Sequence, residues 1–307
     1  MDEINMAQVF PQAIDEDGFT HIKEIADTIV ARVSARHEQE NSNELTGIST
    51  GFSEFDQITS GLQPGDVIIL AGRPAMGKTA LALNIAEHVA IESGIPVAIF
   101  SIDMDRTKMC SRLLASMSKI YLSSLSTGKL SEDEWSGLAE SLGKLQTAPL
   151  YIDQTGGLTP KGLKMKARRL QREHGKLGLI VIDHLQLMAT DEPGKTRAAE
   201  ITKISRSIKS LAKELQVPII VLSQLSAKLE RRGDKRPVLA DLRSYGGIEQ
   251  HADMILMMYR EHYYHGYEMV DSECAEIIIC KHRRGPLKTF ELSYLNEHIR
   301  FVTPICC

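Results

Sequence analysis

Aromatic residues are scarce in this 307-residue sequence: one tryptophan, 8 tyrosines and 7 phenylalanines, so nucleic-acid binding built mainly on base stacking is disfavoured. Cysteines are few, namely Cys110, Cys274, Cys280, Cys306 and Cys307. No pair has C-x-x-C spacing, and no histidine lies at a zinc-type distance. A disulfide framework and a zinc module are therefore excluded, and reduced thiols in a cytoplasmic setting are expected. Positive charge is not in excess either. The net charge of −4 gives no global attraction to nucleic acid, so such binding must come from locally placed cations. No apolar run approaches the roughly 20 residues of a bilayer span, because Asp183 and His184 split the longest candidate. The opening MDEINMAQ has neither a basic region nor an apolar core, so it does not read as a signal peptide, and no membrane partner is expected. With 43% hydrophobic and 25% charged residues, the chain is an ordinary packed protein, neither disordered nor collagen-like.

The length suits two domains of about 150 residues or one large α/β domain. Residues 1–43 form an acidic lead-in followed by an amphipathic stretch, and residues 44–307 form the main domain. In the amphipathic stretch Ile22, Ile25, Ala26, Ile29 and Val33 recur at helical spacing, ending near Arg36 before the polar run EQENSNE. Such a helix either packs on its own domain or, freed by the polar tether, docks on a neighbouring subunit.

Beyond Leu45 short apolar runs alternate with helical patterns. Strands are predicted at Val67–Ala71, Val97–Ile102, Leu150–Asp153, Leu179–Asp183, Pro218–Leu222, Met254–Tyr259 and Glu276–Cys280. Helices are predicted at Thr79–Glu92, Arg106–Lys119, Glu132–Gln146, Pro160–His174 and Arg197–Gln216. The alternation predicts an α/β fold with a mainly parallel, doubly wound sheet. After Met254 the long helices stop, so antiparallel edge strands are expected there. No internal repeat is visible.

Gly72-Arg73-Pro74-Ala75-Met76-Gly77-Lys78-Thr79 is a complete G-x-x-x-x-G-K-[ST] sequence between a predicted strand and a predicted helix that continues through Ala80. The two glycines let the loop amides converge on phosphate, and the helix N-terminus adds a favourable partial charge. Lys78 suits the β- and γ-phosphates of a nucleoside triphosphate, and Thr79 suits Mg2+. The strand GLIVID delivers Asp183 to the edge where ligands sit in open α/β sheets, as a second Mg2+ ligand. VAIFSID brings Asp103 to the same edge, where it either orients the attacking water or caps the next helix, a role open to Asp105 as well. PIIVLSQ ends with Ser223 and Gln224, a neutral amide suited to sensing the γ-phosphate.

Three basic clusters remain. Lys164–Arg172 falls in a helical pattern and reads as a solvated face. Lys228–Arg236 reads as a loop. Lys281-His282-Arg283-Arg284-Gly285-Pro286 follows an apolar strand and ends in a turn. A basic loop at a sheet edge binds nucleic-acid phosphate or supplies an arginine finger to a neighbour's nucleotide, and composition alone separates neither.

The series LTGISTGFSEFDQITSGLQPGDVIILAGRPAMGKTALALNIA, FSIDM, GLIVIDHLQLM, VPIIVLSQLSAKLERRGDKRP, DLRSYGGIEQHAD and KHRRGP resembles the C-terminal motor of the replicative DNA helicases of the DnaB type. The resemblance runs from about Ile22 to Phe301. It implies a RecA-like P-loop NTPase that assembles as a ring hexamer around single-stranded DNA, binds ATP and Mg2+ between subunits and moves 5′ to 3′. Primase and a helicase loader are implied as partners. By the same resemblance Lys78 and Thr79 hold phosphates and metal, Asp183 is the metal-binding acid, Gln224 the sensor and Arg112 a nucleotide contact. Lys281 and Arg283 are the pair that reaches the neighbour's γ-phosphate. The DLRSYGG segment lines the pore, with Arg243, Ser244 and Gly246 as DNA contacts, and the helix from Ile22 is the linker that docks on the next protomer.

This sequence also departs from the family pattern. S-I-D-M stands where the family has S-L-E-M, so Asp103 replaces a glutamate. Ser244 replaces a glutamate, His251 stands where the family has aspartate, and Arg284 and Leu287-Lys288 alter the final turn. No segment resembles the helical collar that precedes the motor in the family. Two rival readings follow: a weakly hydrolysing relative that regulates another helicase, and a RecA-type recombination ATPase.

Overall fold

The computed structural model describes residues 21–38, 45–192, 194, 196–265 and 273–304. The acidic lead-in, Cys306 and Cys307 lie outside them. In chain order the elements are α1 (Ile22–Glu38), α2 (Ser53–Thr59), β1 (Val67–Gly72), α3 (Lys78–Ile91), β2 (Val97–Ser101) and α4 (Arg106–Ser118). There follow α5 (Leu122–Thr127), α6 (Glu132–Thr147), β3 (Leu150–Asp153), α7 (Pro160–His174), β4 (Leu179–Asp183), α8 (Arg197–Leu215) and β5 (Ile219–Gln224). The chain ends through α9 (Ile248–His251), β6 (Met254–Tyr259), α10 (His262–His265), β7 (Glu273–His282), β8 (Thr289–Leu295) and β9 (Arg300–Val302).

One sheet of nine strands runs β3-β2-β4-β5-β1-β6-β7-β8-β9. Pairings from β3 through β6 are parallel, and β7, β8 and β9 add antiparallel strands at one edge. The predicted doubly wound sheet with antiparallel C-terminal strands is therefore present. One detail differs: β6 lies parallel to β1, because the chain between β5 and β6 crosses back through α9, and antiparallel pairing begins only at β7. The strands β8 and β9 and the helices α2 and α5 complete the set.

β1, β2, β4 and β6 are buried at every position, as strands covered on both faces must be. Alternate residues feed two cores. Ile68, Leu70, Val97, Ile99, Val181 and Leu256 pack under α3 and α4. Val67, Ile69, Ala98, Ile182, Val221 and Ile255 pack under α7 and α8.

Local signals explain the helix ends. Ser131 and Glu134 form a reciprocal capping box on α6. Thr159 caps α7, which has Pro160 in its first turn, and Thr196 caps α8. None of the described side chains of α1 enters either core: Ile22, Ile29 and Val33 are 72%, 53% and 62% exposed. Of its two predicted uses, packing on its own domain is not observed among them.

The basic helix face predicted at Lys164–Arg172 lies on α7. There Lys164 and Arg168 both pair with Glu214, Lys166 with Asp153 and Arg169 with Glu173. The segment from Lys228 is only partly a loop, since Ala227–Arg231 form a 3-10 helix. Some of its cations are engaged by protein groups: Arg232 pairs with Asp241, and Arg236 with Glu276.

Candidate functional site

β1 sets the geometry. Its last residue, Gly72, is in register with Gln224, the last residue of β5. The Leu225 amide donates to the Gly72 carbonyl at 3.1 Å, so both strands end at one edge. Beyond Gly72 the loop turns through Gly77, whose φ of +96° favours glycine. A Cβ there would also stand 2.7 Å from the Phe301 ring. Ala75 adopts φ +62° in the same loop. α3 then starts at Lys78, pointing its N-terminal amides back at the loop.

Lys78 is buried, and its Nζ donates to the Arg73 carbonyl at 2.8 Å. Burial lowers its pKa to about 8, an effect that Arg73 reinforces and Asp183 opposes. Thr79 Oγ1 donates to Asp183 Oδ2 at 2.8 Å, joining the start of α3 to the end of β4. The structure therefore brings Lys78, Thr79 and Asp183 together. A hydroxyl and a carboxylate are hard oxygen donors, the chemistry Mg2+ requires, so the residues present fit that ion. The Arg73 side chain turns away from the loop, pairing with Glu230 at 2.7 Å and donating to the Leu225 carbonyl at 2.8 Å.

Asp103 leaves this same edge, two residues past Ser101, which is in register with Asp183. It is exposed. The cap of α4 is Asp105, which accepts from the Thr107 amide at 2.7 Å, so of the two uses predicted for Asp103 the cap is taken by its neighbour. Arg112 lies midway along α4 and is half-buried.

Lys281 and Arg283 lie elsewhere. Arg283 pairs with Asp253, whose Oδ2 accepts from the Val67 amide at 2.8 Å. Val67 begins β1 and the phosphate loop follows its end, roughly 16 Å away at the rise of a parallel strand. Lys281 belongs to β7 rather than to the following turn, because β7 extends to His282. Its pairing with β6 contains a bulge: Ile255 faces Lys281 while Leu256 faces Ile279, so Cys280 is the extra residue. Burial, then Arg283, lowers the Lys281 pKa. Arg284 is drawn to Asp66 at 3.1 Å.

The DLRSYGG segment is not an open loop. Leu239–Tyr245 form a 3-10 helix held against α8. Gly246 has φ +92°, and a Cβ there would meet the Ala198 carbonyl oxygen at 2.4 Å. Arg243 is exposed beside Glu249, 4.0 Å away.

Two contributors escaped the sequence reading. Gln186 holds the ends of β4 and β5 together, donating to Ser223 Oγ at 2.9 Å and to the Gln224 carbonyl at 3.2 Å and accepting from the Gln224 amide at 3.2 Å. Arg260 is buried, donates to the Ala75 carbonyl at 3.0 Å and stacks 4.3 Å above the Tyr294 ring. Among the described residues, no group of three or more His, Cys, Asp or Glu side chains is placed to hold a metal, and no helix is long and apolar enough to cross a membrane.

The family model for the DnaB-like helicase C terminal domain matches residues 47–303. The chain is 44% identical over 287 residues to the replicative DNA helicase DnaB of Pasteurella multocida, covering 93% of this chain and 61% of that protein. It is 44% identical over 285 residues to the replicative DNA helicase DnaB of Geobacillus stearothermophilus, covering 92% of this chain and 62% of that one. The chain thus spans about three fifths of the relatives it matches. Among solved structures, an isolated ATPase domain superposes with a TM-score of 0.86 at 31% identity, over 94% of this chain and all of that one. A structure of a DnaB-like replicative helicase and its interactions with primase gives 0.82 at 32% identity, over 93% of this chain and 67% of that one.

Proposed function

This chain belongs to the family of DnaB-like helicase C-terminal domains, and on that premise we propose that it is an ATP-driven replicative helicase motor. It forms a ring, a hexamer by analogy with the family, around single-stranded DNA and translocates 5′ to 3′ in the cytoplasm. ATP sits on the loop from Gly72 to Thr79, with Lys78 on the phosphates and Thr79 and Asp183 as the Mg2+ ligands. When bound, the metal neutralises phosphate charge and fixes the phosphate oxygens. The protein's own side chains do the rest: Asp103 orients the attacking water, Gln224 reports the γ-phosphate and Arg112 contacts the nucleotide.

The observation that carries this reading is a separation. Lys281 and Arg283 lie at the far end of β1 from Lys78, so they serve a phosphate site only if that site belongs to another copy of the chain. Hydrolysis at an interface then removes the γ-phosphate these cations hold and frees the two subunits to shift. Arg243, Ser244 and Gly246, on a segment anchored to α8, supply phosphate contacts to DNA with little sequence preference. The exposed apolar stripe of α1 docks on the next protomer, and primase and a loader are further partners.

Steady-state ATP turnover with and without single-stranded DNA tests the proposal. The expected result is DNA-stimulated turnover that Lys78→Ala abolishes and Arg283→Ala eliminates without loss of nucleotide binding. Turnover intact in Lys78→Ala would falsify the assigned site. Turnover absent in the native chain and restored by Asp103→Glu would favour the weakly hydrolysing regulatory subunit.

A further inference from the structure

Both distant cations are held by the main chain of one short element. Lys281 Nζ donates to the Glu249 carbonyl at 2.5 Å and to the Ala252 carbonyl at 2.7 Å. Arg283 donates through Nη2 to the Gln250 carbonyl at 2.9 Å and through Nη1 to Asp253 Oδ1 at 3.3 Å. Its amide donates to the Asp253 carbonyl at 3.0 Å. Apart from Asp253 Oδ1, a carboxylate oxygen, these are main-chain carbonyls at and just beyond the C-terminal end of α9, where carbonyls lack a partner within the helix. Two of three Lys281 donors and a minority of the five on Arg283 are used, so both retain donors for a phosphate.

A four-residue helix does not hold itself. Its closing bond, from the Ala252 amide to the Ile248 carbonyl, is 3.3 Å, and a single turn is unfavourable in isolation. Two fastenings to α8 keep it in place. At its start the Gly247 amide donates to Thr202 Oγ1 at 3.1 Å. At its end His251 Nδ1 lies 3.0 Å from Ser205 Oγ. Ser205 Oγ also donates to the Thr202 carbonyl at 3.0 Å, and with its one hydroxyl proton there, the bond to the imidazole has Nδ1–H as its donor. In the chain His251 stands between a carbonyl that holds Arg283, that of Gln250, and one that holds Lys281, that of Ala252.

We infer that His251 is a positioning residue for Lys281 and Arg283: by fastening the end of α9 to Ser205 it fixes the carbonyl cradle that aims both cations at a neighbouring subunit. The same short helix follows the Arg243 segment through Gly246 and Gly247, so a shift of that segment is passed to the cradle. This inference rests on the proposed action of Lys281 and Arg283 across a subunit interface.

The test is turnover by His251→Ala, His251→Asn and mixed assemblies. His251→Ala should lower kcat by about 10- to 100-fold, as misplacement by about 1 Å does, and leave the KM for ATP unchanged. His251→Asn, whose amide offers a donor near the Nδ1 position, should restore most of the rate. Ser205→Ala removes the same hydrogen bond from the other side and should reproduce the defect, which keeps the test open if His251→Ala fails to fold. Mixing His251→Ala chains with Lys78→Ala chains should recover turnover, because the first supply an intact phosphate loop and the second an intact cradle. A native kcat in both His251→Ala and Ser205→Ala overturns the inference. So does a defect that mixing fails to repair while an Arg283→Ala and Lys78→Ala mixture is repaired. If that second mixture also stays silent, action across the interface is what fails, and the inference falls with it.

Discussion

The hydroxyl of Thr79 donates to Asp183 Oδ2 across 2.8 Å, although 104 residues separate the two in sequence. That bond ties the first turn of α3 to the end of β4 and places side by side the two oxygens proposed as Mg2+ ligands. Thr79→Ser should keep the arrangement and the activity. Thr79→Val and Asp183→Asn should each lower kcat by about 100-fold or more and raise the magnesium concentration needed for half-maximal turnover. Equal magnesium requirements in all three variants would separate this pair from the metal.

Lys78 should make nucleotide affinity pH-dependent. Burial holds its pKa near 8, so the free protein carries the ammonium below that pH and loses it above. A triphosphate favours the charged form and raises the pKa, so binding above pH 8 takes up a proton. Affinity for ATP should be level below about pH 7.5 and fall by up to about tenfold per unit as pH rises beyond 8. A titration across that range checks it, with Lys78→Ala as the flat control. A flat native profile would remove Lys78 from the phosphates.

Asp103→Glu should raise turnover. The residue is exposed at the catalytic edge, and Asp105 caps the adjacent helix, so lengthening Asp103 costs no cap. One methylene advances the carboxylate by about 1.5 Å, enough to change the rate by about 100-fold if it orients water. Single-turnover hydrolysis measures the chemical step, and an unchanged rate would show that another group orients the water.

Asp253 should be the costliest single carboxylate to remove. It accepts from the Val67 amide at 2.8 Å and from Lys209 Nζ at 2.5 Å, with both side chains largely buried. Asp253→Ala leaves the largely buried Lys209 with only Asp66, 4.0 Å away, and the Gly65 carbonyl, and should destabilise by about 3 kcal/mol. Asp253→Asn keeps an acceptor for the amide and should cost less. Denaturant unfolding reads both, and equal losses would mean that the charge on Asp253 does not matter.

The phosphate loop and Asp183 were legible because each is a local pattern: a spaced glycine motif between strand and helix, and an acid ending an apolar run. The parallel strands were legible for the same reason, being continuous Val- and Ile-rich segments. β8 was harder, since TFELSYL mixes polar and apolar residues beside polar turns. Gln186 and Arg260 were not legible, because their partners lie 38 and 185 residues away and no local pattern announces a side chain that bonds a distant carbonyl. The choice between Asp103 and Asp105 as cap needed one hydrogen bond that spacing does not decide.

The extra residue in β7 reverses the parity of that strand. Ile277 and Ile279 pack toward α3, and plain alternation would send Lys281 after them into oil. Skipping Cys280 puts Lys281 instead beside Ile255, on the face where α9 waits. Odd and even are thus part of the site's specification. This stretch should forgive exchange of the Cys280 thiol for another small side chain. It should even forgive loss of the residue, because Ile279 and Lys281 would then follow one another on opposite faces. A change that ironed the bulge flat with Cys280 kept would not be forgiven. It would turn Lys281 to the wrong side of the sheet, with every letter of the neighbouring motif still in place.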